Sequence, residues 1–232
     1  MKNTPITLIS RSAALILSMA ATLPGLQAAP SAPDFNFKWD MSQTVETPVG
    51  TAIEEKSSGN NIVFLSGNST KIEADTEARG GKALVFDGTQ TAAASSLQKL
   101  VIGENIRLAA QVKPVDSANM VDWQTVVYIF QQCELRYAVK RGQILFIVWY
   151  GADGKTAAEV GCPINPNKWN DIEATVVGSK MELRVNGLVM TQTIPGEGTK
   201  KTDSNVVGVG FANGRAFTGR IADLQISLPK FN

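Results

Sequence analysis

The chain of 232 residues carries 22 basic and 21 acidic side chains, a net charge of +1, with two cysteines and no histidine. Without an imidazole there is no base for a Ser-His-Asp or Cys-His nucleophile and no histidine-ligated metal, and two cysteines cannot close a zinc site. The charge balance offers no basic surplus for nucleic acid.

Residues 1–28 read as a secretory signal peptide. Lys2 and Arg11 supply positive charge, residues 13–23 form an uncharged apolar run, Pro24 and Gly25 break it, and Leu26-Gln27-Ala28 ends in a small residue. The run is about half the ~20 residues that span a bilayer, and no later segment is long and apolar enough to do so. No cysteine follows it to carry a lipid anchor. Cleavage removes Lys2 and Arg11 but no acid, which takes the net charge from +1 to −1. Residues 29–36 form a short proline-bearing lead, and 37–232 are expected to be one domain.

Downstream, apolar residues recur with period 2, and turn residues interrupt them at short intervals. In 105–113, Ile106, Leu108, Ala110 and Val112 share one face, and Arg107, Ala109, Gln111 and Lys113 the other. Segments 123–130 and 144–150 are apolar on both faces. Such strands are either covered on both sides or meet something other than water on one. Segments 134–139, 143–150 and 156–162 read as a meander that places Cys133 and Cys162 at opposite ends. An oxidising compartment favours pairing the two cysteines, so the strand pattern and the compartment point in opposite directions.

Segment 171–177 turns Ile172, Ala174 and Val176 inward. Gly178-Ser179 then makes a tight turn into 180–186, and Asn186-Gly187 is a strong hairpin signal before 188–194. At 219–228 the alternation slips, because Ile221 and Leu224 both call for burial. A β-bulge near Ala222-Asp223 reconciles them. No amphipathic helix, repeat or linker is present. Many short strands without helices predict an all-β, two-sheet antiparallel sandwich.

Three groups of side chains carry candidate chemistry. Glu73-Ala74-Asp75-Thr76-Glu77 spaces three carboxyls along one strand face, yet residues four apart on a straight strand lie ~13 Å apart. Retaining glycosidases need carboxyls about 5–5.5 Å apart, so a solvated acidic loop is the simpler reading. Asp171 and Glu173 form a second acidic pair, which Lys180 and Arg184 on the next strand are placed to neutralise. Trp123, Tyr128, Tyr137, Trp149 and Tyr150 cluster in one central stretch, and aromatic rings stack on the apolar faces of sugars. Trp149 and Tyr150 point to opposite faces, so one belongs to the core. Asn68-Ser69-Thr70 is a bare glycosylation sequon.

The order of these pieces resembles the laminin-G-like branch of the concanavalin A-like jelly rolls. Residues 81–88 (Gly-Lys-Ala-Leu-Val-Phe-Asp-Gly) resemble its opening strand, and 104–114 its strand ending in a basic residue and proline. Residues 167–175, led by Trp169, and 181–187 resemble its following strand and hairpin. Residues 207–210 and 217–226 resemble its closing strands. Trp39-Asp40 and Ser57-Ser58-Gly59-Asn60 fit its first strand and first loop, so the likeness spans 37–228. It implies a jelly-roll sandwich with one concave and one convex sheet, glycan or protein partners, and in some members a structural calcium.

Asp223 matches the last-strand calcium ligand. Lys56 stands where the first-loop acid belongs, which leaves Glu54 or Glu55 to substitute. Gln111 occupies a position where many relatives carry tryptophan. The sequence therefore reads as an exported, non-catalytic module that binds a glycan through the concave sheet. Trp149, Tyr150, Trp123, Tyr137, Arg107 and Gln111 are the candidate contacts, and Asp223 and Glu55 the candidate calcium ligands. The alternative is a cell-surface structural or protein-interaction module. A third is a carboxylate-based glycoside hydrolase or lyase using Glu73.

Overall fold

The computed structural model describes residues 37–47, 50–55, 62–66, 71–89, 91–101, 105–116, 120–151, 156–195, 203–212 and 214–227. The expected signal peptide, the lead, Lys56, the 57–60 loop and the 68–70 sequon lie outside the described residues. The strands are β1 (Phe37–Thr47), β2 (Gly50–Glu55), β3 (Ile62–Ser66), β4 (Lys71–Ala74), β5 (Lys82–Asp87) and β6 (Thr91–Val101). They continue with β7 (Asn105–Pro114), β8 (Trp123–Ile129), β9 (Cys133–Ala138), β10 (Gln143–Tyr150), β11 (Thr156–Pro163) and β12 (Asn170–Val177). The last are β13 (Lys180–Val185), β14 (Leu188–Thr193), β15 (Asp203–Val209), β16 (Phe211–Ala212), β17 (Arg215–Ala216) and β18 (Thr218–Ser227). Among the described residues the only helical piece is a 3-10 turn at Val139–Arg141.

The pairing is antiparallel throughout and runs β11-β10-β9-β8-β15-β6-β3-β2-β1-β18-β7-β12-β13-β14, with β5 joined to β18 and β4 to β5. This path folds back on itself, so that β11 at one end packs against β13 and β14 at the other. The result is two facing antiparallel sheets, the sandwich that the period-2 pattern predicts. One layer is centred on β12-β7-β18 and the other on β8-β9-β10-β11. A single core cluster joins them, with Ile106, Leu108, Val112 and Ile172 from the first and Leu135, Ile144, Phe146 and Val148 from the second.

Local sequence explains the elements. Strict alternation in β7 and β12 gives one buried face and one wetter face on each. Asn186 and Gly187 both take positive φ, 50° and 87°, and close the β13–β14 hairpin. Between Ala222 and Gln225 the register against β7 shifts, with Asp223 at φ 50°, so Ile221 and Leu224 are both buried. A second bulge, between Thr125 and Val127 in β8, buries Val126 and Val127 in succession and pairs Tyr128 with Glu134.

The doubly apolar β10 has both faces covered. Ile144, Phe146 and Val148 enter the core, while Leu145 and Ile147 form a satellite cluster with Ala138 on the outer face, against which Trp123 and Trp149 pack. Cys133 pairs with Val148 and Cys162 with Ile144, on opposite flanks of β10. That offset of ~13 Å along the strand exceeds disulfide reach. Both cysteines are free and buried, and burial pushes both thiols up, away from the reactive thiolate.

Candidate functional site

The candidate residues divide between two outer faces. Arg107 and Gln111 lie on the outer side of β7, in the layer that does not contain Trp123 and Trp149. There the side chains are matched to one another. Arg107 donates through Nε and Nη2 to the two oxygens of Glu173, both at 3.0 Å. Gln111 donates to Asp171 at 3.0 Å and accepts the Arg79 backbone N–H at 2.6 Å.

The acidic motif at 73–77 folds onto this same face. Glu73 belongs to β4, whereas Asp75 to Gly81 form a turn closed by the Asp75 N–H on the Gly81 carbonyl at 3.0 Å. The motif is therefore split between a strand and a turn, and each carboxylate meets a donor from the sheet below. Arg220 reaches Glu73 at 2.8 Å and Asp75 at 3.6 Å, Trp169 donates to Asp75 at 3.3 Å, and Lys113 reaches Glu77 at 3.0 Å. Beneath the turn Ala78, Ala83, Ala222 and Trp169 form a small apolar cluster. The three acids act as a strap that pins the turn across β18 and β7.

The expected calcium ligands occupy the edge of this network. Asp223 is 5 % exposed, and both its oxygens are engaged. Oδ2 accepts from Arg79 at 2.5 Å, while Oδ1 accepts from Gln225 at 2.8 Å and lies 3.7 Å from the Lys38 ammonium. The hydrogen bond that Arg79 donates to Asp223 pushes the guanidinium up from its ordinary value. Glu55 is buried and accepts the Lys38 backbone N–H at 2.5 Å. Among the described residues no three acidic or sulfur side chains gather as a metal cage.

The second face is built from the outward residues of β8, β9 and β10. Tyr150 packs against the core, so of the adjacent pair it is Trp149 that faces outward. Tyr137 is also a core residue, 1 % exposed, because alternation in β9 places it beside Leu135 on the inner face. It offers no surface to a ligand. Trp123 is half-buried over the outer cluster, with the Arg136 and Arg141 guanidinium carbons 5.6 and 5.0 Å from its ring. Trp149 meets Tyr128 edge-to-face at 5.8 Å, and Tyr128 meets the exposed Phe130 likewise at 6.2 Å.

Between these aromatic groups lies an ionic cluster. Glu134 is 0 % exposed although it sits on an outward position of β9, directly across from Tyr128. Thr125 donates to it at 2.6 Å, and Arg136 grips it with Nε at 3.1 Å and Nη2 at 2.7 Å. Arg215, arriving on β17, adds Nη2 at 3.1 Å and reaches the Thr125 hydroxyl with Nε at 3.4 Å. The sequence pattern does not reveal Thr125, Glu134, Arg136 and Arg215 as a unit. Its only local trace is Glu134-x-Arg136, two residues apart and so on one strand face. Aromatic rings beside fixed, partly exposed guanidinium groups can stack on an apolar ring face and donate hydrogen bonds to its oxygens.

A family model described as the concanavalin A-like lectin/glucanases superfamily matches residues 86–228. No curated protein matches the sequence. Among solved structures, the botulinum neurotoxin type G receptor binding domain aligns at TM-score 0.63 and 11 % identity, covering 86 % of this chain and 49 % of its own. The binding domain of Paraclostridial Mosquitocidal Protein 1 aligns at TM-score 0.63 and 12 % identity, over 86 % of this chain and 50 % of its own. The binding domain of botulinum neurotoxin DC in complex with SialylT aligns at 0.59 and 12 %, over 82 % and 48 %. This chain thus spans about half the length of these neighbours, and at such identities the likeness is one of fold.

Proposed function

The chain belongs to the concanavalin A-like lectin/glucanases superfamily, and from that premise we propose that it is an exported, non-catalytic binding module that recognises a glycan on the outer face of β8–β10. The observation that carries this reading is the Trp149–Tyr128 pair set beside the buried Glu134 with its two arginines. A sugar ring needs an apolar face to stack on and fixed polar groups at its rim, and this patch supplies both. The other outer face is less suited, because its arginines, lysine and glutamine are already engaged by the strap and by β12. Export rests on the signal-peptide pattern of residues 1–28, and binding domains of toxins among the fold neighbours are consistent with a role outside the cell.

A glycan array probed with the wild type and with Trp149→Ala tests this. The wild type is retained on a subset of glycans, and Trp149→Ala weakens that retention about tenfold or more while its unfolding curve stays close to the parent. Equal retention of both proteins removes Trp149 from the site, and no retention on any glycan overturns the reading.

A protein-interaction role draws on a different place, the edge strand β14, where Leu188, Val189 and Met190 are exposed. A partner docked there is indifferent to Trp149→Ala, so the same variant separates the two readings.

A further inference from the structure

We propose that the site on the outer face of β8–β10 takes a saccharide bearing an anionic group, a carboxylate or a sulfate, and that Arg136 and Arg215 receive that group together. This rests on the glycan reading above and names the ligand class.

The cluster holds more positive than negative charge. Two guanidinium groups share one carboxylate, so the unit Arg136–Glu134–Arg215 keeps one net positive charge. Glu134 has no acceptor capacity to spare, because the Thr125 hydroxyl and both arginines already occupy its oxygens. The arginines are less saturated. Arg136 uses Nε and Nη2 on Glu134, and Arg215 uses Nε and Nη2 on Thr125 and Glu134. Among the described residues, the Nη1 group of each makes no hydrogen bond to protein. The two side chains are 16 % and 23 % exposed, so each is held by the fold yet partly open to solvent. A guanidinium fork meets a carboxylate or sulfate with two parallel bonds and needs little reordering when one end is already fixed.

The surplus is local. Arg141 is answered by Glu159 at 2.9 Å and Lys140 by Asp122 at 3.8 Å, so neighbouring cations are already neutralised. On the opposite outer face the positive charges of Arg79, Arg107, Lys113 and Arg220 each meet acids of the chain, leaving no excess. A neutral sugar would use the aromatic rings but leave the guanidinium surplus unanswered. An acidic sugar uses both, because Tyr128 lies directly across from Glu134 and in edge-to-face contact with Trp149.

The test uses three immobilised sets of oligosaccharides. These are uronate chains such as oligogalacturonate and alginate fragments, sulfated chains such as carrageenan and chondroitin sulfate fragments, and neutral cello-, laminari- and xylo-oligosaccharides. The wild type is expected to bind at least one acidic probe most tightly. Carboxyl reduction or desulfation of that probe weakens binding about tenfold or more, as does Arg215→Gln assayed at a temperature below the onset of its own unfolding, and raised salt weakens it too. Loss on carboxyl reduction identifies a uronate ligand, and loss on desulfation a sulfate. Tightest binding to a neutral probe, or an acidic probe held equally by Arg215→Gln, overturns the inference while leaving the glycan reading in place. Retention on no probe of any charge overturns both.

Discussion

Glu134→Gln is expected to lower the unfolding free energy by about 3 kcal/mol and the melting temperature by about 8 °C. The side chain is fully buried on an outward strand position, where charge is tolerated only because Arg136 and Arg215 surround it. Glutamine preserves the volume and one acceptor oxygen but removes the negative charge. Two guanidinium groups are then left facing each other across a neutral amide, and an amide N–H₂ points at a donor. Breaking a buried ion pair from one side typically costs about 3–5 kcal/mol, and the partial exposure of both arginines places this case at the lower end. The control is Glu182→Gln. Glu182 pairs with Arg184 at 3.1 Å among solvated side chains, and the loss there should stay below about 1 kcal/mol. Chemical denaturation of both variants measures the contrast. A Glu134→Gln protein as stable as the parent would mean that the cluster does not hold β8 and β9 in place.

Gly219→Ala is expected to be the more damaging, at about 4 kcal/mol and a fall of about 12 °C in melting temperature. Gly219 sits at φ +145°, a conformation open almost only to glycine. It is also hemmed in by its neighbours in the sheet, Phe86 on β5 and Pro114 on β7. A Cβ built there collides with the Lys113 carbonyl oxygen and lies 2.8 Å from the Phe217 ring. Neither can yield cheaply, since the carbonyl belongs to β7 and Phe217 is buried edge-to-face against Phe86 at 5.9 Å. Gly142→Ala separates strain from collision. Gly142 also has positive φ, at +58°, but a Cβ there meets nothing within 4 Å, so its cost should be about 1 kcal/mol. Similar melting curves for the two alanine variants would contradict the close approach at Gly219.

These two positions also mark what the sequence makes legible. Alternation is a local signal, and it places β7, β12, β13 and the Asn186-Gly187 turn where the structure has them. The slip at 219–228 is readable because two apolar residues with odd spacing both need burial, and the bulge at Asp223 follows. Long-range pairing leaves no such trace. Arg79 meets Asp223 from 144 residues away, and Arg215 meets Glu134 from 81. A surface arginine and an interior arginine look alike in a list of letters.

The same limit explains why the candidate contacts scatter. Arg107, Gln111, Trp123 and Trp149 all sit on strands of the right kind, but only the fold assigns the first two and the last two to opposite outer faces. Tyr137 is misplaced for a simpler reason. It alternates with Glu134 and Arg136 in register with Leu135, which marks it as a core residue once the inner face of β9 is known. At 73–77 the loop reading fits the turn that follows Ala74, but the ion pairs that hold its acids to Arg220 and Lys113 leave no local trace.

The most direct test of the binding face follows the indole N–H resonances of the four tryptophans during titration with the glycan that the protein retains best. Each reports a different place: Trp39 the core, Trp169 the strapped outer face beside Asp75, and Trp123 and Trp149 the opposite outer face. The Trp149 signal is expected to shift with saturation while those of Trp39 and Trp169 stay in place. A shift confined to Trp169, or saturable binding that leaves Trp149 unmoved, would contradict this placement of the binding face.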